Sequence, residues 1–157
     1  MLNETPEAIL AVDPGKKVAA AAVFLDGRLE AATLVRGTDP LDLCNQIVAW
    51  TGTLSFSVVV TENQQVYGGP RRSDPNDLLP LAFCCGAVHA SYDTPMRIMP
   101  LPRKWKGTIK KEIMTARILS KLSDAERDVI DTISCPKSLL HNVVDACGLG
   151  LWHLGRL

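Results

Sequence analysis

Two short runs constrain the fold more than any other feature of the chain: Ala8-Ile9-Leu10-Ala11-Val12, and Val58-Val59-Val60 within the segment Phe56 to Thr61. Both are continuously apolar, where a half-exposed strand would alternate. A strand with this pattern is buried on both faces, so the sheet that contains it must carry helices on each side. Each run also ends on a carboxylate, Asp13 after the first and Glu62 after the second.

The rest of the chain supplies what such a sheet needs. Asp13-Pro14-Gly15 is a turn signature. A second strand is expected from about Val18 to Phe24, and Leu25-Asp26-Gly27-Arg28 reads as a hairpin turn into a third, from Leu29 to Val35. An amphipathic helix over Pro40 to Trp50, capped by Asp39, provides the crossover that brings the Phe56 strand back parallel to the first. Asn63 to Asp77 reads as an exposed loop. A helix capped by Asp77 should follow, running to about His89, because Pro80 is tolerated only in a first turn. Beyond a short strand at Arg97 to Met99 come a helix over Lys111 to Leu122, a capping box at Ser123-Asp124-Ala125-Glu126, and a last helix over Lys137 to Leu154. The expected class is α/β: one mixed five-stranded sheet flanked by helices, in a single domain spanning residues 1–157.

Composition narrows the function classes. The chain has 157 residues, 46% hydrophobic and 22% charged, which suits a folded core and excludes extensive disorder. Its apolar runs fall short of the roughly 20 residues a membrane span needs, and the acidic start lacks the regions of a signal peptide, so a cytoplasmic location is expected. The five cysteines (Cys44, Cys84, Cys85, Cys135 and Cys147) lack zinc-ligand spacing and read as thiols, mostly buried. Net charge is zero, yet Arg103, Lys104, Lys106, Lys110 and Lys111 lie within nine residues, and Arg71-Arg72 form a smaller cluster. Such a strip is either a solvated surface or a holder of phosphate backbone.

The acids carry the chemistry. If the two apolar strands are parallel neighbours, Asp13 and Glu62 emerge at the same carboxyl edge, where open sheets commonly bind ligands. Asp145 lies in the strongly apolar run Val143-Val144-Asp145-Ala146-Cys147, where an unpaired carboxylate is costly. His141, four residues earlier, shares its helical face, which Gly148 and Trp152 continue; a glycine there permits close approach to the sheet. Taken singly, Asp13 could be a turn residue and Glu62 a surface strand end. Together the acids suit hard divalent cations, which take oxygen ligands. Two such ions about 3.5–4 Å apart can activate water and stabilise the leaving oxygen of a phosphodiester.

These segments resemble the RuvC family of Holliday-junction resolvases. The family opens with a strand leading into Asp-Pro-Gly, here Leu10-Ala11-Val12-Asp13-Pro14-Gly15. It carries a glutamate at the end of its fourth strand, here Val58-Val59-Val60-Thr61-Glu62, and it closes with a helix bearing Asp-Ala, here Asp145-Ala146. Glu62-Asn63-Gln64-Gln65-Val66-Tyr67, Asn76-Asp77-Leu78-Leu79 and Trp105-Lys106-Gly107 are similar to small phage-type members. The resemblance covers nearly the whole chain. It implies an RNase H-like fold, Mg²⁺ or Mn²⁺ as two ions per site, no nucleotide cofactor and no membrane. It further implies branched DNA, typically a four-way junction, cut by a homodimer. Asp13, Glu62 and Asp145 take the ligand positions. The family's fourth position, three residues before the last aspartate, is Asn142 here, and the fourth role is assigned instead to the neighbouring His141.

In the same family a loop aromatic enters the junction, which suits Tyr67, although Tyr67 could equally pack on Pro70 as a surface residue. Arg71, Arg72 and the strip from Arg103 to Lys111 match phosphate-contacting positions, with Trp105 anchoring the strip in the core. The helix from Leu78 to His89, with Leu78, Leu81, Phe83, Cys84, Cys85 and Val88, has more apolar positions than one core-facing stripe uses and is the expected dimer face. Three other readings compete: a broader branched or duplex DNA substrate, a catalytically silent DNA-binding relative, and an actin-like nucleotide-binding domain, for which the chain is short.

Overall fold

The structure, a computed structural model, describes residues 7–66 and 74–157. Three strands open the chain: β1 (Ala8–Asp13), β2 (Val18–Leu25) and β3 (Arg28–Arg36). Asp26 and Gly27, with φ of 48° and 78°, form the tight turn between β2 and β3, the two positive angles that an Asp-Gly hairpin supplies. Helix α1 (Pro40–Thr51) follows, its first amides capped by the Asp39 carboxylate, which accepts from the N–H groups of Leu41 and Asp42 at 3.0 Å. It crosses to β4 (Val58–Thr61). Phe56 precedes that strand and is buried edge-on against Tyr92 instead of extending it.

The remaining elements are α2 (Pro75–Ser91), β5 (Met96–Ile98), α3 (Pro102–Trp105), α4 (Lys111–Lys121), α5 (Asp124–Asp131) and α6 (Leu140–His153), the last entered through a 3₁₀ turn at Lys137–Leu139. The sheet order is β3-β2-β1-β4-β5, with β1 antiparallel to β2 and parallel to β4. Among the described residues no helix is long and apolar enough to cross a membrane.

The two apolar runs are the central strands. Ile9, Leu10, Val12, Val59 and Val60 are fully buried, and each such side chain stabilises by about 1.5–3 kcal/mol. Alternation divides them between two cores. Ile9, Ala11, Val58 and Val60 pack with α4 and α6. Leu10, Val12 and Val59 pack with α1 and α2. Because both faces are filled, a one-residue slip would exchange the two sets, so the register is fixed. That register pairs Val12 with Thr61, and one step further along each strand lie Asp13 and Glu62, on the face covered by α6.

Two local expectations need correction. Helix α2 begins at Pro75 with Asp74 as its cap, accepting from Asn76 N–H at 2.8 Å; Asp77 lies inside the first turn and pairs with Lys16. Pro80 sits within the helix, where the carbonyl it deprives of a partner is that of the exposed Asn76, open to water. Gly148 does not serve close approach to the sheet. A Cβ there would lie 2.8 Å from Trp105 and 2.6 Å from Ile118, whereas at Gly150 it would strike Phe24 of β2.

Candidate active site

Asp13, Glu62, His141, Asn142 and Asp145 line one cleft, together with Lys106, Lys111, Ile109, Leu81 and Met114. Three elements bring the acids together. β1 and β4 deliver Asp13 and Glu62 to the carboxyl edge of the sheet, and α6 lays Asp145 across it. Asp145 and Glu62 are largely covered, with side chains 16% and 12% exposed.

The electrostatics show how much negative charge the cleft concentrates. Burial, then the charges of Asp145 and Glu62, hold the Asp13 carboxyl well above the usual carboxylate range, against the pull of Lys106 and Lys111. Burial likewise raises Asp145; Glu62 adds to the rise, while Lys106, His141 and Lys111 oppose it. Both shifts mark a place where a cation is favoured.

Lys106 supplies one such charge. Its ammonium lies 2.9 Å from Glu62 Oε2 and 3.8 Å from Asp145 Oδ2, and 4.7 Å from the centre of the Trp105 ring. Burial lowers the lysine's pKa, but the Glu62 and Asp145 charges outweigh it and the net shift is upward. The indole N–H of Trp105 donates to the same Glu62 oxygen at 2.7 Å.

An oxygen-rich donor set with depressed acidity fits a hard divalent ion. Among the described residues, however, no three acidic, histidine or cysteine side chains stand close enough to hold an ion as they are. Asp13, Glu62 and Asp145 would hold such an ion, and the Lys106 ammonium stands against two of them.

The other expected site residues fall into groups. Arg103 and Lys104 are exposed on α3, while Lys110 and Lys111 are exposed at the start of α4, with Lys111 also reaching the cleft. Cations are disfavoured at a helix N-terminus, and Lys110 makes no side-chain cap there. Tyr67, Arg71 and Arg72 lie outside the described residues. Between the two claimants for the fourth position, Asn142 turns its amide back to the Leu139 carbonyl at 3.2 Å, while His141 acts electrostatically on Asp145.

Sequence reasoning placed Lys106 on the outer strip and missed the bond from Trp105 to Glu62. A buried tryptophan N–H usually has a partner, and that rule was the available signal; the partner lies 43 residues away and could not be named.

Comparison with solved structures gives matches over the whole fold. The RuvC of Thermus thermophilus matches with a TM-score of 0.58 at 17% identity, covering 94% of this chain and 93% of that one. The fowlpox virus resolvase, solved with Holliday junction DNA, gives 0.60 at 18%, covering 94% and 97%. The yeast mitochondrial Holliday junction resolvase gives 0.58 at 12%, covering 96% and 82%.

The fold is that of the RuvC-type resolvases.

No family model and no curated protein matches the sequence itself. In this RuvC-type arrangement the carboxylates at the ends of β1 and β4 and on α6 face one cleft. The parallel β1–β4 pair sets two of them side by side, and α6 packs on that same face of the sheet.

Proposed function

We propose that the chain is a divalent-metal-dependent, structure-selective endonuclease that hydrolyses branched DNA, four-way junctions above all. The observation that carries this reading is the gathering of Asp13, Glu62 and Asp145 in one cleft whose own electrostatics call for positive charge. Those three carboxylates would hold Mg²⁺ or Mn²⁺, with His141 beside them. When bound, the metal supplies a lowered water pKa and charge stabilisation at the phosphodiester.

The chain's own residues do the rest. Lys110 and Lys111, exposed at the start of α4 and the latter lining the cleft, bind the phosphate backbone beside the site; a helix start, unfavourable for cations alone, favours a phosphate there. His141 accepts one proton of the attacking water. The water oxygen joins phosphorus, the P–O bond to the departing oxygen breaks, and the second proton ends on that oxygen. Arg103 and Lys104 extend the DNA path; Tyr67, Arg71 and Arg72, proposed from the sequence as further DNA contacts, lie outside the described residues.

Two cuts across a junction need two sites in fixed relation, so a homodimer is part of the proposal. Its face is narrower than the sequence suggested. Of the residues expected there, Cys84, Cys85 and Val88 are buried in the chain's own core, Leu81 lines the cleft, and Phe83 is 57% exposed; Leu79, which was not among them, is 64% exposed beside it and Pro40 of α1. The junction complexes of the T. thermophilus RuvC and the fowlpox resolvase support the substrate class.

The test is to incubate end-labelled four-way junction, flap and linear duplex with the protein, with and without Mg²⁺ or Mn²⁺. Paired symmetric nicks on the junction, only with metal, are expected. Equal cutting of the duplex, or cutting without metal, contradicts the proposal.

A further inference from the structure

Behind the cleft, bonded to one of its carboxylates, stands a tightly placed side chain to which the proposed chemistry assigns no task. Trp105 is buried, with 5% of its surface exposed, at the end of a one-turn helix in the cationic strip. Its ring lies against α6, and only the missing Cβ of Gly148 makes room for it, since a Cβ would come within 2.8 Å of Cζ3. From that position the indole N–H donates to Glu62 Oε2 at 2.7 Å, a short bond to a charged acceptor and so among the stronger kinds.

Glu62 needs such a restraint. It lies one residue past the last residue of β4, where ladder pairing has ended, and the next backbone bond is Asn63 N–H to the Pro100 carbonyl. A glutamate side chain has three rotatable bonds, so its carboxylate is positioned only if something outside the strand fixes it. Gly148 is on α6, three residues after Asp145. The tryptophan therefore ties the carboxylate of β4 to the same helix that carries Asp145, and Lys106, over the ring at 4.7 Å, reaches both acids from the next position.

We infer that Trp105 is a positioning residue for Glu62: its indole N–H holds one carboxylate oxygen and so presents the other to the divalent ion. The inference rests on the nuclease reading for its consequence, but the bond itself does not. Groups that orient metal ligands typically contribute 10–100-fold to metal affinity or activity.

Trp105→Phe keeps a ring in the Gly148 niche and removes only the donor. Titration of the variant with Mn²⁺, by calorimetry or by loss of the free-ion paramagnetic signal, is expected to show affinity weakened by roughly 10–100-fold. The thermal midpoint should fall by roughly a few degrees, less than for loss of Lys106, which still holds the same oxygen, and kcat on a junction should fall with little change in KM. Separately, with Trp105 intact, its indole ¹H–¹⁵N resonance should move between wild type and Glu62→Gln, because the carboxylate acceptor is replaced by an amide. A Trp105→Phe protein that binds Mn²⁺ and cuts as wild type overturns the inference, and so does an indole resonance that ignores Glu62→Gln. If the wild type itself takes up no Mn²⁺, the nuclease reading falls, and the resonance alone then decides whether Trp105 holds Glu62. The resonance also decides if Trp105→Phe fails to fold.

Discussion

Replacing Lys106 by methionine separates the two kinds of cation that the cleft can hold. The side chain keeps its length and apolar stem and loses only the ammonium. That ammonium lies 2.9 Å from Glu62 and 3.8 Å from Asp145, with its own side chain 28% exposed. At an effective dielectric of about 20, unit charges 4 Å apart interact by about 4 kcal/mol, and both contacts fall inside that distance. Against this stands the desolvation of the lysine. Removing one partner of a buried pair costs about 3–5 kcal/mol, and the partial exposure here puts the loss near the lower end, at about 3 kcal/mol. For a domain of this size that lowers Tm by roughly 6–12 °C. A divalent ion should then replace the missing charge, and it no longer has an ammonium to displace. The stabilisation by saturating Mn²⁺ is therefore larger in Lys106→Met than in wild type. Thermal unfolding of both proteins, with and without 1–10 mM Mn²⁺ (about the range that saturates a weak site), measures this. A variant as stable as wild type without the ion, or an equal response of both to Mn²⁺, refutes the idea that lysine and ion compete for the same carboxylates.

Three further outcomes are expected. His141→Ala lowers the single-turnover cleavage rate by about 10²-fold or more, the usual range for a lost acid–base group, while Asn142→Ala does much less; the reverse result moves the fourth position to Asn142. Glu126→Gln destabilises by about 3 kcal/mol, because Glu126 accepts from Leu29 N–H at 2.9 Å, from the Ser123 N–H and hydroxyl, and from both Arg156 nitrogens at 2.8 Å. The bonds from Arg156, ahead of all other causes, hold that carboxyl far below its ordinary value, so its contribution is complete above the unfolded pKa of about 4.5 and fades as pH falls below it; urea unfolding at pH 7 and pH 3 should show the gap between variant and wild type narrowing in acid, and a constant gap excludes the linkage. Phe83→Glu should convert a micromolar dimer to monomer by light scattering, and a wild-type monomer under those conditions removes the dimer proposal.

The parts of the molecule that are written locally were legible. The continuous apolar character of Ala8 to Val12 and Val58 to Val60 identified the central strands, and Asp13 and Glu62 followed from where those strands stop. Asp145 was legible because a carboxylate among Val143, Val144, Ala146 and Cys147 demands a reason. The Asp26-Gly27 turn, the Asp39 cap and the Ser123–Glu126 capping box are signals contained within four residues.

What failed was either ambiguous locally or distant in sequence. Asp74 and Asp77 offer the same capping chemistry three residues apart, and the tolerance of Pro80 depends on Asn76 being exposed. The inward turn of Lys106 depends on the burial of its neighbour Trp105, which depends in turn on a niche at Gly148. A run of five cations gives no sign that one of them faces a cluster of acids.

The central claim is that Asp13, Glu62 and Asp145 act together on a metal while other residues hold the DNA. The most direct measurement is single-turnover cleavage of a labelled four-way junction by Asp13→Asn, Glu62→Gln and Asp145→Asn, with gel-shift binding of the same junction in parallel. The account predicts that each variant loses cleavage and binds nearly as wild type. Any one of the three cutting at the wild-type rate, with Mg²⁺ or Mn²⁺ present, contradicts it.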